Sequence, residues 1–348
     1  MARATVTDIY SPWKDMKRVI LDSAGNEIAV LHDDNSNYYA DETAVDWNAI
    51  ESAGYNVMVR IPKFYYKKEV ITDGFIFGVS DEPIDGYELH PAFYRCRDKY
   101  CDDQTGVAVE VDNRYCSAFL GWYDGEKLRS LPNKLPTTRI TIGTARSYAK
   151  VNGVGWSQFD FYLLYAIQML YITEYGHADS QTQIGMGYTS STNSAKINTG
   201  STLQYGNISY GETTGKFQMA YRGIEDFWGN CRQLIDGFYV DSEANILINN
   251  RGFNDNAIGY SNKGNDNYAL SDGGYIGDIQ SNKDCGFYIS DKSGSQASKF
   301  YDTGYQTKER MPTFGGNWSD NLGAGFACFR CNIGYDWAKS SNSSRLCF

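Results

Sequence analysis

Apolar residues along this chain come mostly in runs of strand length, and one stretch alone sustains a long helical pattern. Arg18-Val19-Ile20-Leu21 and Glu27-Ile28-Ala29-Val30-Leu31 flank the turn-forming Asp22-Ser23-Ala24-Gly25-Asn26, which predicts a β-hairpin. From Val57 onward, apolar and aromatic runs punctuated by Asp73-Gly74, Asp85-Gly86 and Asp124-Gly125 predict a β-rich module. Residues 144–150 then read as a short helix ended by Gly153 and Gly155, and residues 159–175 as a longer one closed by Gly176. On the longer helix Phe161, Leu164, Gln168 and Ile172 mark one face, and Leu163, Ile167, Leu170 and Tyr171 another. A helix apolar nearly all round is expected to be buried against a sheet. After Gly176 the sequence turns to Gly, Ser, Thr, Asn and Tyr. Its spaced Tyr, Phe and Ile anchors predict long ordered loops on a small sheet, not disorder.

Composition agrees with that picture. The 28 Tyr, 17 Phe, 7 Trp and 35 Gly against 7 Pro point to aromatic-rich β structure with long loops and few helices. At 348 residues a stable core is assured. A formal charge of −10 argues against nucleic acid or an anionic membrane as partner, because both attract Lys and Arg. No apolar run reaches the roughly 18 residues of a membrane span, and Met1-Ala2-Arg3-Ala4-Thr5 leads into polar sequence without a signal-peptide core. The expectation is a chain made in a cytoplasm, without membrane insertion. That setting favours free buried thiols for the eight Cys.

The motifs of catalysis and metal binding are thin. No Gly-x-Ser-x-Gly and no His-Glu-x-x-His occurs, and His32, His90 and His177 are scattered. Gly211-Glu212-Thr213-Thr214-Gly215-Lys216 is one residue short of a phosphate loop, and Phe217 replaces its Ser/Thr, so it reads as a turn. Asp33-Asp34-Asn35-Ser36-Asn37 lacks the glycine and distal Glu of a calcium loop and reads as solvated. Cys328-x-x-Cys331 is half a zinc site with no second half, so the expectation is no metal and no cofactor.

The last stretch has a different vocabulary. Gly315-Gly316-Asn317-Trp318, Phe326 to Gly334 and the closing Arg345-Leu346-Cys347-Phe348 mix small residues with aromatic, Asn, Ser and Arg side chains, as paratopes do, and this end of the chain is expected to form a binding face. Tyr221-Arg222-Gly223-Ile224-Glu225-Asp226-Phe227-Trp228-Gly229-Asn230, the helix pair before it, and the Gly315–Trp318 and Arg345–Phe348 segments together resemble the C-type-lectin-type fold. That fold is shared by formylglycine-generating enzymes and by retroelement-diversified receptor-binding proteins. Val59-Arg60-Ile61-Pro62-Lys63-Phe64-Tyr65-Tyr66-Lys67 and Leu131-Pro132-Asn133-Lys134-Leu135-Pro136 resemble segments of phage and prophage tail-fibre proteins.

The resemblance runs from about Val57 to Phe348 and implies an α+β fold: a C-type-lectin-like ligand-binding domain over 135–348, a β-rich module over 56–134, and an N-terminal hairpin and attachment region over 1–55. It implies a virion protein of the phage tail, a homotrimer that meets other tail proteins through its N-terminal region and a host-cell surface protein or glycan through its C-terminal loops. The diversified relatives concentrate Asn, Ser, Tyr, Asp, Cys and Arg at exposed positions, and Ser319, Asp320, Asn321, Cys328, Arg330, Cys331, Asn332, Tyr335 and Asp336 have that make-up. The expected ligand-binding set is Trp318, Ser319, Asp320, Asn321, Arg330, Asn332, Tyr335 and Trp337, with no catalytic residue. Two other readings stand beside it. One is a structural tail or baseplate component without receptor contact. The other is a copper oxidase of the formylglycine-generating type using Cys328 and Cys331, whose spacing is shorter than that family's.

Overall fold

A computed structural model describes residues 12–72, 74–97, 106–265, 274–297 and 302–348. Met1–Thr5, Asp73 and Cys101 lie outside the described residues.

The expected hairpin forms between β1 (Arg18–Leu21) and β2 (Glu27–Val30), paired Val19 to Val30 and Ile20 to Ala29. Its turn closes because the Asp22 carboxylate accepts the Ala24 and Asn26 N–H groups at 2.9 Å while Gly25 takes φ +84°. The hairpin is one edge of a six-stranded sheet in the order Ser157–Gln158, Leu346–Cys347, Asn113–Ser117, β3 (Asn56–Pro62), β1, β2, antiparallel throughout. The first and last described strands of the chain share this sheet. β1 is buried along its whole length, as is most of β3, so the sheet is covered on both faces. Ile20, Val57, Val59 and Ile61 enter the main core, and Val19, Leu21 and Met58 enter a second one with Trp156, Leu346 and Phe348.

After the short α1 (Trp47–Ser52), two further helices lie where the sequence indicates. α2 (Ile142–Lys150) begins two residues before the expected start because the Thr141 hydroxyl caps it, accepting the Thr144 N–H. α3 (Phe161–Tyr175) is capped by Asp160, which accepts the Leu163 N–H at 3.0 Å, and it ends at Gly176 in the left-handed region. All twelve residues 161–172 are buried, Phe161, Ile167 and Met169 among them. Gln168, the one amide side chain of that run, donates to the Phe326 carbonyl at 2.7 Å.

A second six-stranded sheet runs Gly274–Tyr275, Thr303–Gln306, Phe329–Ile333, Met311–Phe314, Arg232–Leu234, Asn342–Ser343. Two of its pairings are parallel, Thr303–Gln306 with Phe329–Ile333 and Arg232–Leu234 with Asn342–Ser343. Pro312, which cannot donate to a ladder, sits where the register shifts beside Met311.

The α+β expectation is corrected. Among the described residues the four α-helices cover 6, 9, 15 and 4 residues, whereas strands are spread over eight sheets, so the fold is β-rich. The physical reason is visible on both sides of Gly176. α3 is apolar on every face and is wrapped as a single rod, so it does not build a helical layer. Among the described residues the Gly-, Ser-, Thr- and Asn-rich chain beyond it forms one α-helix, the four-residue Ser180–Gln183, because its short apolar runs suit strands and turns.

Candidate functional site

The segment from Ala220 to Leu234 supports the C-terminal face from below. Trp228 is fully buried and its indole N–H donates to the Gly185 carbonyl at 3.0 Å. Gly229 has φ +86°, and a Cβ there would lie 3.0 Å from the Tyr188 backbone, so any side chain would be both strained and tightly crowded. Asn230 ties this turn across by accepting the Ile197 N–H and donating to Asp226. Glu225 accepts N–H groups from Gly200 and Thr202 at 2.7 and 2.8 Å. Burial, with Glu225 alongside, pushes the Asp226 carboxyl well above the usual carboxylate range.

Arg345 completes this hub and is itself fully buried. Its guanidinium donates to Gln233 Oε1 at 2.7 Å and to the carbonyls of Ser117, Glu225 and Asp226 at 2.8, 2.7 and 3.0 Å. Arg345-Leu346-Cys347-Phe348, expected as part of the binding face, is therefore interior structure.

The strands above the hub carry the surface. Along Phe329–Ile333 burial alternates, so Arg330 and Asn332 face outward while Phe329, Cys331 and Ile333 face in. Strand pairing sets Arg330 beside Thr313. The result is a cleft of about 350 Å³ lined by Arg330, Asn332 and Trp337 from the expected set, with Arg232, Thr313, Ile333, Lys339, Ser341 and Asn342. Asp320 joins it indirectly: one carboxylate oxygen accepts Arg232 at 2.7 Å and lies 3.5 Å from Arg330, while the other accepts the Asn317 N–H. Arg330 also donates to Thr303 Oγ1 at 2.8 Å.

The other expected residues lie around the cleft. Trp318 is half-buried, with its N–H on the Asn230 carbonyl at 3.1 Å. Ser319 bonds Asn317 Oδ1 through both its N–H and its hydroxyl. Asn321 takes φ +50°, donates its N–H to the Thr189 carbonyl and accepts from Gln181. Tyr335 and Trp337 stand on an exposed segment, 53% and 40% accessible, with the Trp337 N–H closing a turn on the Gly334 carbonyl. The Lys339 ammonium lies 4.5 Å from the Trp337 ring centroid, a cation–π contact.

Arg232, Lys339, Ser341 and Asn342 escaped sequence reasoning. Arg232 directly follows the Trp228-Gly229-Asn230 turn, and its half-buried place at the head of a buried strand is the one local signal it offers.

Among the described residues six Cys are free and buried, as the expected cytoplasmic setting favours, but Cys96 is disulfide-bonded. Burial pushes the Cys328 thiol up to about 11, so it stays protonated, and Cys331 Sγ lies 3.3 Å from the Arg310 carbonyl oxygen. No cluster of three or more His, Cys, Asp or Glu that could hold a metal ion occurs among the described residues.

No family model and no curated protein matches the chain. Among solved structures the chain is similar to PvdO from Pseudomonas aeruginosa, at 10% identity and a TM-score of 0.33, over 84% of this chain and 94% of that one.

Proposed function

We propose that this chain is a receptor-binding protein of a phage tail, a homotrimer that attaches to a host-cell surface protein or glycan through its C-terminal face. The observation that carries the reading is the conjunction at that face of two exposed aromatic side chains, Tyr335 and Trp337, with a cleft bearing arginine, asparagine and lysine on a sheet. Tyr, Trp and Arg are the residues in which binding energy concentrates, because they supply large rigid contact area or planar hydrogen bonding at modest entropic cost. Trp337 and its neighbours at 335–340 are all exposed, so they are free to meet a partner and to be substituted with little effect on the core. Trimeric assembly would multiply weak contacts into avidity.

The direct test is oxidative footprinting of the protein in the presence of host-cell envelopes. Protection of Tyr335 and Trp337, with exposed Tyr38 and Tyr94 unchanged, is the expected outcome. Equal labelling with and without envelopes contradicts it. A monomer mass in light scattering at micromolar concentration would remove the trimer.

A further inference from the structure

We infer that the C-terminal cleft takes a carboxylate-bearing sugar, a reading that rests on the receptor-binding role proposed above and narrows its ligand. The cleft gathers three cations, Arg232, Arg330 and Lys339, against the single carboxylate of Asp320. A chain of net charge −10 thus presents a positively charged pocket at this face. One carboxylate shared between two guanidiniums leaves donor capacity over. Nε of Arg232, Nε of Arg330 and Nδ2 of Asn342 have no hydrogen-bond partner among the described residues. All three are buried donors on residues that line the cleft, where cations outnumber carboxylates, and a planar carboxylate is the acceptor that guanidinium groups match best.

Size and surroundings favour a sugar over an acidic peptide. A volume of about 350 Å³ lies at the small end of ligand pockets, the scale of one or two sugar rings, whereas a protein partner covers about 800 Å² on each side. The lining is polar, with Asn332 and Ser341 only half-buried, and can serve ring hydroxyls. Trp337 at the rim offers an apolar face against which the C–H side of a pyranose can lie.

The probes are glucuronate, its uncharged methyl ester and a deca-glutamate peptide, each titrated into the full chain by calorimetry or ligand-observed NMR. The expected result is that glucuronate binds, that the ester binds about tenfold or more weakly, and that Lys339→Ala weakens glucuronate severalfold while leaving the fold intact, because Lys339 is exposed. Arg330→Gln should abolish the preference for the acid. Equal binding of acid and ester, no binding of either, or tighter binding of the peptide than of the sugar overturns the inference. Those failures are separable from failure of the receptor-binding role: footprint protection of Tyr335 by host envelopes can survive with no carboxylate preference, in which case the ligand class alone is wrong.

Discussion

At the scale of single residues, the most informative groups are buried and ionisable. Asp302 is fully buried beneath the final loops. One of its oxygens accepts the Ala327 N–H at 2.6 Å, and the other has no partner among the described residues. Burial raises its pKa from 3.8 to about 8. The folded state therefore holds this proton more tightly than the unfolded chain does. The stability it contributes is complete below pH about 4 and is lost as pH rises towards 8. Asp302→Asn keeps the acceptor and cannot ionise, so the variant should lose that slope and gain on the wild type steadily between pH 4 and 8. Melting curves across that range check it, and parallel curves for the two proteins contradict it. Gly229 makes a second residue-scale prediction. Gly229→Ala forces a Cβ against the Tyr188 backbone at positive φ and should cost about 1–3 kcal/mol in chemical denaturation.

At the scale of elements, α3 depends on Asp160 twice. The carboxylate caps the helix and also pairs with Arg114 at 2.5 Å, both partners being almost fully buried. Asp160→Ala removes the cap and strands a buried guanidinium, with an expected loss of about 3–5 kcal/mol. Asp160→Asn keeps a capping oxygen and removes only the charge, so it should lie between the two in urea titration. Asn and Ala variants of equal stability would show that the ion pair carries everything and the cap nothing. α3 and the β1–β2 hairpin were legible in the sequence because each is punctuated locally, by Gly176 at the end of the helix and by Asp22 and Gly25 in the turn, whereas the Asp160 cap, which starts α3 at Phe161 and not at 159, went unread. The second sheet was not. It joins strands of two to five residues, too short for a period-two pattern to register, and two of its pairings are parallel between distant segments. For the same reason Arg232 could not be placed beside Arg330 from sequence: strands far apart in the chain bring them together. The α+β expectation, which the resemblance implied, failed at this scale too, since the one long helix is wrapped on every face and the described residues are mostly strands in small sheets.

At the scale of the whole molecule, Phe348 locks the β1–β2 hairpin. The Phe348 ring packs so closely on Gly25 of the β1–β2 turn that a Cβ there would lie 2.0 Å from it, and it also lies against Trp156 at 5.3 Å between centroids. Together with buried Arg345 this makes the terminal strand a clasp, where composition had suggested binding chemistry. Removing the last four residues should abolish cooperative unfolding of the entire chain, because it takes an interior strand from the first sheet and removes the Arg345 guanidinium that donates to the carbonyls of Ser117, Glu225 and Asp226. Cooperative melting of the truncated chain near the wild-type temperature would contradict that role. The same arrangement separates stability from the recognition proposed for the C-terminal face. The clasp is interior, while Tyr335, Trp337 and the cleft lie outside it, so binding can be removed without unfolding the protein. Arg330 is less suited to that test, since it is bonded to Thr303 and lies near Asp320. The most direct measurement is therefore host-cell adsorption of Tyr335→Ala with Trp337→Ala, alongside the melting temperature. Adsorption lost with the melting temperature within a few degrees of wild type is the predicted result. Adsorption at the wild-type level by the folded double variant would contradict the placement of the binding face.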